Sequence, residues 1–173
     1  LGGYAAGVFT LATAAGLQFQ TLGAYEVRPY QATDVRHRFS FPTYFAARLI
    51  TVALMVVGIV GTTLWSGRPA SDMIAFLIIA SLRLFDAFED VFYGEFQRLG
   101  RLDIAGKANF FRVLVTLASF LVALLVTHDL LLTSLVTIVL SFIAIVSLIL
   151  PAARTMRPLR PSVVGWSRNW LCG

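Results

Sequence analysis

The chain has 173 residues, of which 58% are hydrophobic and only 13% charged, and its mean hydropathy is +0.80. A soluble domain averages about 45–50% apolar and about 25% charged residues, so this composition excludes an ordinary soluble domain and indicates a bilayer. The net charge of +5 does not indicate nucleic acid, because the basic residues lie between hydrophobic segments, where they suit lipid head groups. A single cysteine, Cys172, excludes a disulfide framework and a cysteine-based metal site.

Five segments are predicted to be membrane-spanning helices, each of which needs about 20 mainly apolar residues. They predict an all-α, polytopic membrane bundle over residues 1–153, followed by a basic, proline-rich cytoplasmic tail over residues 154–173. The fifth span is expected to end at Pro151, and we interpret the sequence as a piece of a longer protein. The predicted spans are residues 4–25, 44–64, 72–96, 110–126 and 130–150.

The basic residues alternate between rich and poor connections. The first and third connections carry three Lys or Arg residues each, the second carries only Arg68, and the fourth carries none. The tail is again rich in arginine. Because basic loops remain in the cytoplasm, the first and third connections and the tail are predicted to lie inside and the other two outside.

The third span is unusual because it carries charges within the membrane. Arg83 lies eleven residues after Asp72, roughly 16 Å along the helix and near the bilayer midplane. At about 100° per residue, Arg83, Asp86 and Asp90 share one stripe, with Glu89 beside it. Arg83 and Asp86 are one turn apart and are predicted to pair. A charge in mid-membrane costs roughly 2.5–3.5 kcal/mol, so this stripe is predicted to face the bundle interior.

The role of these charges has two interpretations, an internal ion pair that locks the helix to its neighbours or a hydrated pathway for substrate or protons. Arg83 is alone among three carboxylates, so at least one of them needs another partner or a proton. Arg48, about one turn inside the second span, is expected to snorkel to the interface, and contact with an anionic head group or phosphate is the alternative. Gly3 and Gly7 form a GxxxG pattern that predicts close helix contact.

Two stretches carry a family resemblance. "QATDVRHRFSFPTYFAARLIT" holds an Ala-Thr-Asp turn, an aromatic-rich helix start and an arginine. "FDAFEDVFYGEFQRLGRLDIAGKANFFRVL" holds Asp-Val-x-Tyr-Gly-x-x-Gln, then Arg-x-Asp-x-x-x-Lys, then an arginine at the head of the next helix. In order and topology they resemble the polysaccharide (O-antigen type) flippases, whose superfamily also holds the multidrug and toxin extruders. The resemblance covers roughly residues 1–154.

This resemblance implies five helices of a six-helix half-transporter, with the missing remainder of the transporter chain as a partner. It implies a multi-pass protein of the inner (plasma) membrane that moves lipid-linked oligosaccharide, on a polyprenyl diphosphate, for surface polysaccharide synthesis. Arg48 and Arg83 would then be cations of a central cavity, and Asp86 and Asp90 would be charge partners or coupling groups. Glu89 would belong to the same substrate pathway.

The sequence is also compatible with two other functions. A multidrug or cation antiporter of the same superfamily would use intramembrane acids to bind cations or protons. An integral-membrane prenyltransferase-type enzyme is favoured by "DAFED", which is similar to the Asp-rich motifs that hold magnesium and diphosphate. Such enzymes need a second Asp-rich motif, and the later acids form no such pair. We therefore predict no enzymatic activity, catalytic residue, metal site, cofactor or nucleic-acid partner.

Overall fold

The computed structural model describes residues 2–154 except 35 and 37, and all regular structure in that range is helical. The predicted all-α fold is confirmed, and each predicted span falls on a helix. The tail predicted over residues 154–173 lies outside the described residues except for Arg154. The elements are α1 (Gly3–Ala24), α2 (Val27–Thr33), α3 (Phe41–Trp65), α4 (Ala70–Arg98), α5 (Leu102–Thr127), α6 (Leu130–Ala144), a π-helical segment (Ile145–Ile149) and α7 (Leu150–Arg154).

Three of these helices are, by length and composition, long and apolar enough to cross a membrane. They are α3, α5 and the continuous helix Leu130–Arg154. α1 and α4 have 22 and 29 residues, about 33 and 44 Å, so they exceed the bilayer core in length. α1 is rich in glycine, alanine and threonine, and α4 carries seven charged residues. The bundle is therefore that of a membrane protein, and the number of five membrane-spanning helices stays a prediction.

Contacts at both ends of the bundle show that consecutive long helices alternate in direction. At one end, Tyr4 of α1 donates a hydrogen bond to Asp72 of α4, next to His128 and Asp129 in the α5–α6 connection. At the other end, Arg98 of α4 donates to the carbonyl oxygen of Phe39, 3.0 Å away. The arginine-rich connections thus lie at one end of the molecule, and the arginine-poor connections lie at the other.

The helices differ from the prediction in three main respects. α5 begins at Leu102 instead of residue 110, because Gly100 adopts a φ of +70° that ends α4 and Asp103 then favours a helix start. The first connection contains α2, which was not predicted. The last helix continues past Pro151 to Arg154, because the wider π-helical turns before it accommodate a residue that lacks an N–H.

α4 lies at the centre and packs against α1, α2, α3, α5 and α6. Small residues allow its closest approaches, since a Cβ on Gly16 would lie 3.2 Å from the Ala80 carbonyl oxygen. A Cβ on Gly3 or Gly7 would meet no atom of the described residues within 4 Å, so the predicted GxxxG contact is wrong there. The C-terminal half of α4 is held by aromatic rings with centroids 5.7–5.9 Å apart, namely Phe41, Phe45, Phe88 and Phe92.

Candidate functional site

The charges of α4 lie within the bundle, where side chains from α2, α3 and α5 meet them. The predicted pair is present, with Arg83 Nη1 3.0 Å from Asp86 Oδ2. Asp86 has a second partner, because Arg112 Nη2 of α5 lies 2.7 Å from its Oδ1. Arg112 Nε also lies 2.6 Å from Glu89 Oε1. One chain of ion pairs therefore joins α4 to α5.

Asp90 is the centre of a second chain of ion pairs. Its Oδ1 lies 3.1 Å from Arg28 Nη1 of α2, and its Oδ2 lies 2.7 Å from Arg48 Nη2 of α3. Arg48 also donates a short hydrogen bond to the carbonyl oxygen of Gly23 in α1. Asp90 therefore links α4 to both α2 and α3.

The expectation that Arg48 snorkels to the interface is wrong. Its side chain is 0% exposed, because α1, α3 and α4 surround it and supply both a carboxylate and a carbonyl oxygen. A buried guanidinium is costly unless it is paired and hydrogen-bonded, and here Nη1 and Nη2 have such partners, while Nε has none among the described residues. The anionic partner that the structure gives Arg48 is the Asp90 carboxylate, and contact with an anionic head group or phosphate stays a prediction.

The charges of the whole cluster nearly balance. Four arginines, from four different helices, meet Asp86, Glu89 and Asp90, so one positive charge is in excess. The sequence placed Arg83 alone among these acids, and the structure supplies the missing partners from other elements. Glu89, expected beside the stripe, is the most buried of the three acids.

These ion pairs line a cavity of about 500 Å³. Arg28 and Arg83 are partly exposed to it, and Arg48 is not part of its wall. Neutral polar groups add to the lining, namely Gln20, Tyr93 and Asn109, and Leu102, Ala105 and Gly106 of α5 form its apolar part. The mainly polar lining makes this a water-compatible space inside an apolar bundle.

A second cavity, of about 280 Å³, continues from the first toward the end of the bundle that holds Tyr4 and Asp72. The two share Arg83, Asp86 and Arg112 in their walls, and the second is otherwise mainly apolar. Phe9 of α1 and Phe120 of α5 face it with ring centroids 5.6 Å apart. The charged cluster thus marks the boundary between a polar and an apolar space.

A separate polar network joins the first connection to the C-terminal end of α4. Gln31 Nε2 donates to Glu95 Oε2 over 3.0 Å, and Arg98 Nη2 pairs with Glu95 at 2.7 Å. Asp34, in the predicted Ala-Thr-Asp turn, accepts the backbone N–H groups of Arg38 and Phe39. Burial raises the pKa of Asp34, but these bonds, the Tyr44 hydroxyl and the Arg98 guanidinium outweigh burial and hold the pKa of Asp34 below its ordinary value.

Sequence reasoning missed Arg28 and Arg112 as site residues. The sequence pattern places Arg28 in the first connection and Arg112 only at the head of the next helix. The signal that could have found them is the acid excess on α4, where at least one of three carboxylates needs another partner or a proton. Within the part of the chain that the structure describes, no three His, Cys, Asp or Glu side chains are grouped to hold a metal.

The fold and the site together define a class, an all-α helical membrane protein with a charged cavity inside its bundle. Comparison with known proteins does not narrow this class further, since no family model, no curated protein and no solved structure matches the chain. The function is therefore inferred from the cavity and its lining.

Proposed function

We propose that this chain is the part of an inner-membrane transporter that binds the head of a lipid-linked oligosaccharide, carried on polyprenyl diphosphate, during its transfer across the membrane. The observation that carries the proposal is the cavity of about 500 Å³, lined by three arginines and three carboxylates inside a bundle of apolar helices. A membrane bundle that only needed stability would fill this space with apolar side chains.

The arginines of the cavity support a diphosphate ligand. The planar guanidinium binds phosphate oxygens through two parallel hydrogen bonds, and the cluster already has one positive charge in excess. Arg28 and Arg83 are the most accessible of the four. Both now pair with carboxylates of α4, and a diphosphate would compete with Asp86 and Asp90 for the same donors.

The family resemblance implied Arg48 and Arg83 as the cavity cations, and the geometry favours a different set. Arg48 lies behind Asp90, away from the cavity, so we assign it to positioning Asp90. Arg28, Arg83 and Arg112 are the proposed ligand-binding cations. The neighbouring apolar cavity supports a ligand with an attached hydrocarbon chain.

The test is surface-polysaccharide output in a flippase-deficient cell that produces the full-length parent protein. We expect Arg112→Ala to reduce output at least tenfold at unchanged protein level, because it leaves Asp86 and Glu89 without their shared cation. Arg101→Ala is the matched control, since it removes an exposed arginine from the same helix region. Normal output from Arg112→Ala and Arg83→Ala at normal expression would rule out the proposed site.

A multidrug or cation antiporter is the second candidate, favoured by the three carboxylates gathered on one wall of the cavity. In that case the acids would bind the transported cation or proton, and the arginines would hold them in place. Efflux of a cationic dye separates the two functions. If the protein is an antiporter, Asp86→Asn should abolish efflux of the dye. If it is a glycan transporter, it should support polysaccharide output, and neither the unchanged protein nor Asp86→Asn should export the dye.

A further inference from the structure

The charged cavity also carries two neutral amide side chains, Gln20 of α1 and Asn109 of α5. Neither amide has a hydrogen-bond partner among the residues that the structure describes. Gln20 is partly exposed and Asn109 is exposed, so a ligand in the cavity can reach both. We propose that these two amides bind the sugar attached directly to the diphosphate of the transported lipid. The inference rests on the proposed function, because the arginines that bind the diphosphate place the sugar.

Each amide lies one helical turn from an arginine of the cavity. Asn109 precedes Arg112 by three residues on α5, about 4.5 Å along the helix axis. Gln20 follows Gly16 by four residues on α1, and a Cβ on Gly16 would lie 3.0 Å from Arg83 Cγ. α1 ends, and α5 begins, at the arginine-rich end of the bundle, so both amides lie on that side of the two arginines.

The second, mainly apolar cavity lies on the opposite side of these arginines, beside Phe9 of α1 and Phe120 of α5. Along the bundle axis the order is therefore apolar cavity, arginines, amides. A lipid-linked oligosaccharide has the matching order of hydrocarbon chain, diphosphate and sugar. A ligand with its diphosphate on the arginines therefore has its first sugar beside Gln20 and Asn109.

The chemistry of the amides suits a sugar better than a second phosphate. A side-chain amide offers two N–H donors and a carbonyl oxygen that accepts. Sugar hydroxyls both donate and accept, whereas ionised phosphate oxygens only accept. Because both amides are neutral, they add no charge to the cluster of ion pairs. A few polar groups placed in this way are the usual source of specificity in a binding cavity.

Gly106, one turn before Asn109, keeps part of the cavity open. It lies in the cavity wall, and a Cβ at this position would meet no atom of the described residues within 4 Å. A larger side chain here can therefore enter the cavity without displacing a neighbouring helix. Binding cavities of about 300–1,000 Å³ are usual for small-molecule ligands, so the volume of about 500 Å³ has room for one sugar beside the diphosphate.

The experiment measures binding of three lipids to the purified full chain in non-ionic detergent. The probes are undecaprenyl diphosphate, the same lipid with one hexose, and the same lipid with one N-acetylhexosamine. We expect one or both sugar-bearing lipids to bind about tenfold more tightly than the bare lipid. Gln20→Leu and Asn109→Leu should each weaken binding of the sugar-bearing lipid about fivefold, the usual contribution of one hydrogen bond. Both variants should change binding of the bare lipid less than about twofold.

A second variant fills the proposed sugar site and leaves the arginines in place. Gly106→Leu should remove most of the advantage of the sugar-bearing lipid, and Gly61→Leu should leave that advantage unchanged. Gly61 is the matched control because a Cβ there also meets no atom of the described residues within 4 Å, and Gly61 lies on α3, outside the cavity wall. Helix content by circular dichroism shows whether each variant is folded.

Two results would overturn the sugar site and leave the proposed function intact. In both, the bare lipid binds and Arg112→Ala weakens that binding about tenfold. In the first, neither sugar improves binding. In the second, Gln20→Leu and Asn109→Leu weaken binding of the bare and the sugar-bearing lipids equally. Failure of the bare lipid to bind, or binding of the bare lipid that Arg112→Ala does not change, would instead overturn the proposed function, and the sugar site with it.

Discussion

Asp86 lies between two arginines, and this arrangement decides how the charges of α4 can be probed. An exchange of Arg83 and Asp86 would preserve a simple pair, but here it would place a new arginine against Arg112, whose Nη2 is 2.7 Å from the present carboxylate. Like charges repel strongly in a low-dielectric bundle. We infer that the exchange disrupts the cluster, so that Asp86 must be studied together with both of its partners.

Arg48 offers the sharpest test of stability at a single residue. Arg48→Ala should lower the free energy of unfolding by about 3–5 kcal/mol, because it removes a buried partner of Asp90. Reversible unfolding in mixed micelles measures this change. Arg101→Ala is the control, since Arg101 and Asp103 are 52% and 54% exposed and exposed ion pairs contribute little. A loss in Arg48→Ala no larger than in the control would contradict the buried-pair assignment.

At the scale of the helices, α4 is held by close contacts that depend on small residues. A Cβ on Gly23 of α1 would lie 2.7 Å from Met55 Sδ of α3 and 3.0 Å from the Ala87 Cβ of α4. The Gly23 carbonyl oxygen also accepts hydrogen bonds from Arg48 and Thr51. Gly23 therefore marks the point where three helices meet beside the buried ion pair.

Gly23→Ala should destabilise the protein by about 1–3 kcal/mol, the usual cost of overpacking a close contact. Gly61→Ala, within α3, is the matched control because no atom of the described residues lies within 4 Å of its Cβ position. That change should leave stability unchanged or raise it by about 0.5–1 kcal/mol, since alanine is the better helix former. Thermal midpoints of the two variants measure the difference, and equal midpoints would show that α1 can move away from α4.

At the scale of the whole molecule, the alternating helix directions predict a membrane topology that can be tested. In a Cys172→Ser background, single cysteines at positions 36 and 101 should react with an impermeant thiol reagent only from the cytoplasmic side. Cysteines at positions 68 and 128 should react from the outside. The reason is the positive-inside rule, combined with the observed grouping of the arginine-rich connections at one end. Labelling of position 101 from outside would reverse the orientation.

Much of the fold followed from local patterns. Long apolar runs predict helices wherever a bilayer is the solvent, because a helix satisfies its own backbone hydrogen bonds. The helix boundaries were less predictable. The start of α5 at Leu102 depended on the turn at Gly100, and the extension to Arg154 depended on a π-helical segment that has no clear sequence signal.

The sequence by itself determined the membrane character of this protein, the charged third span and the pairing of Arg83 with Asp86. These depend on composition and on spacing within one helix, which are local properties. Only the tertiary structure decided that Arg112 shares Asp86 and that Arg48 is buried behind Asp90. Such pairings join residues from different helices, and no spacing along the chain specifies which helices become neighbours. The physical reason is that a buried charge takes whichever partner the packing brings within reach.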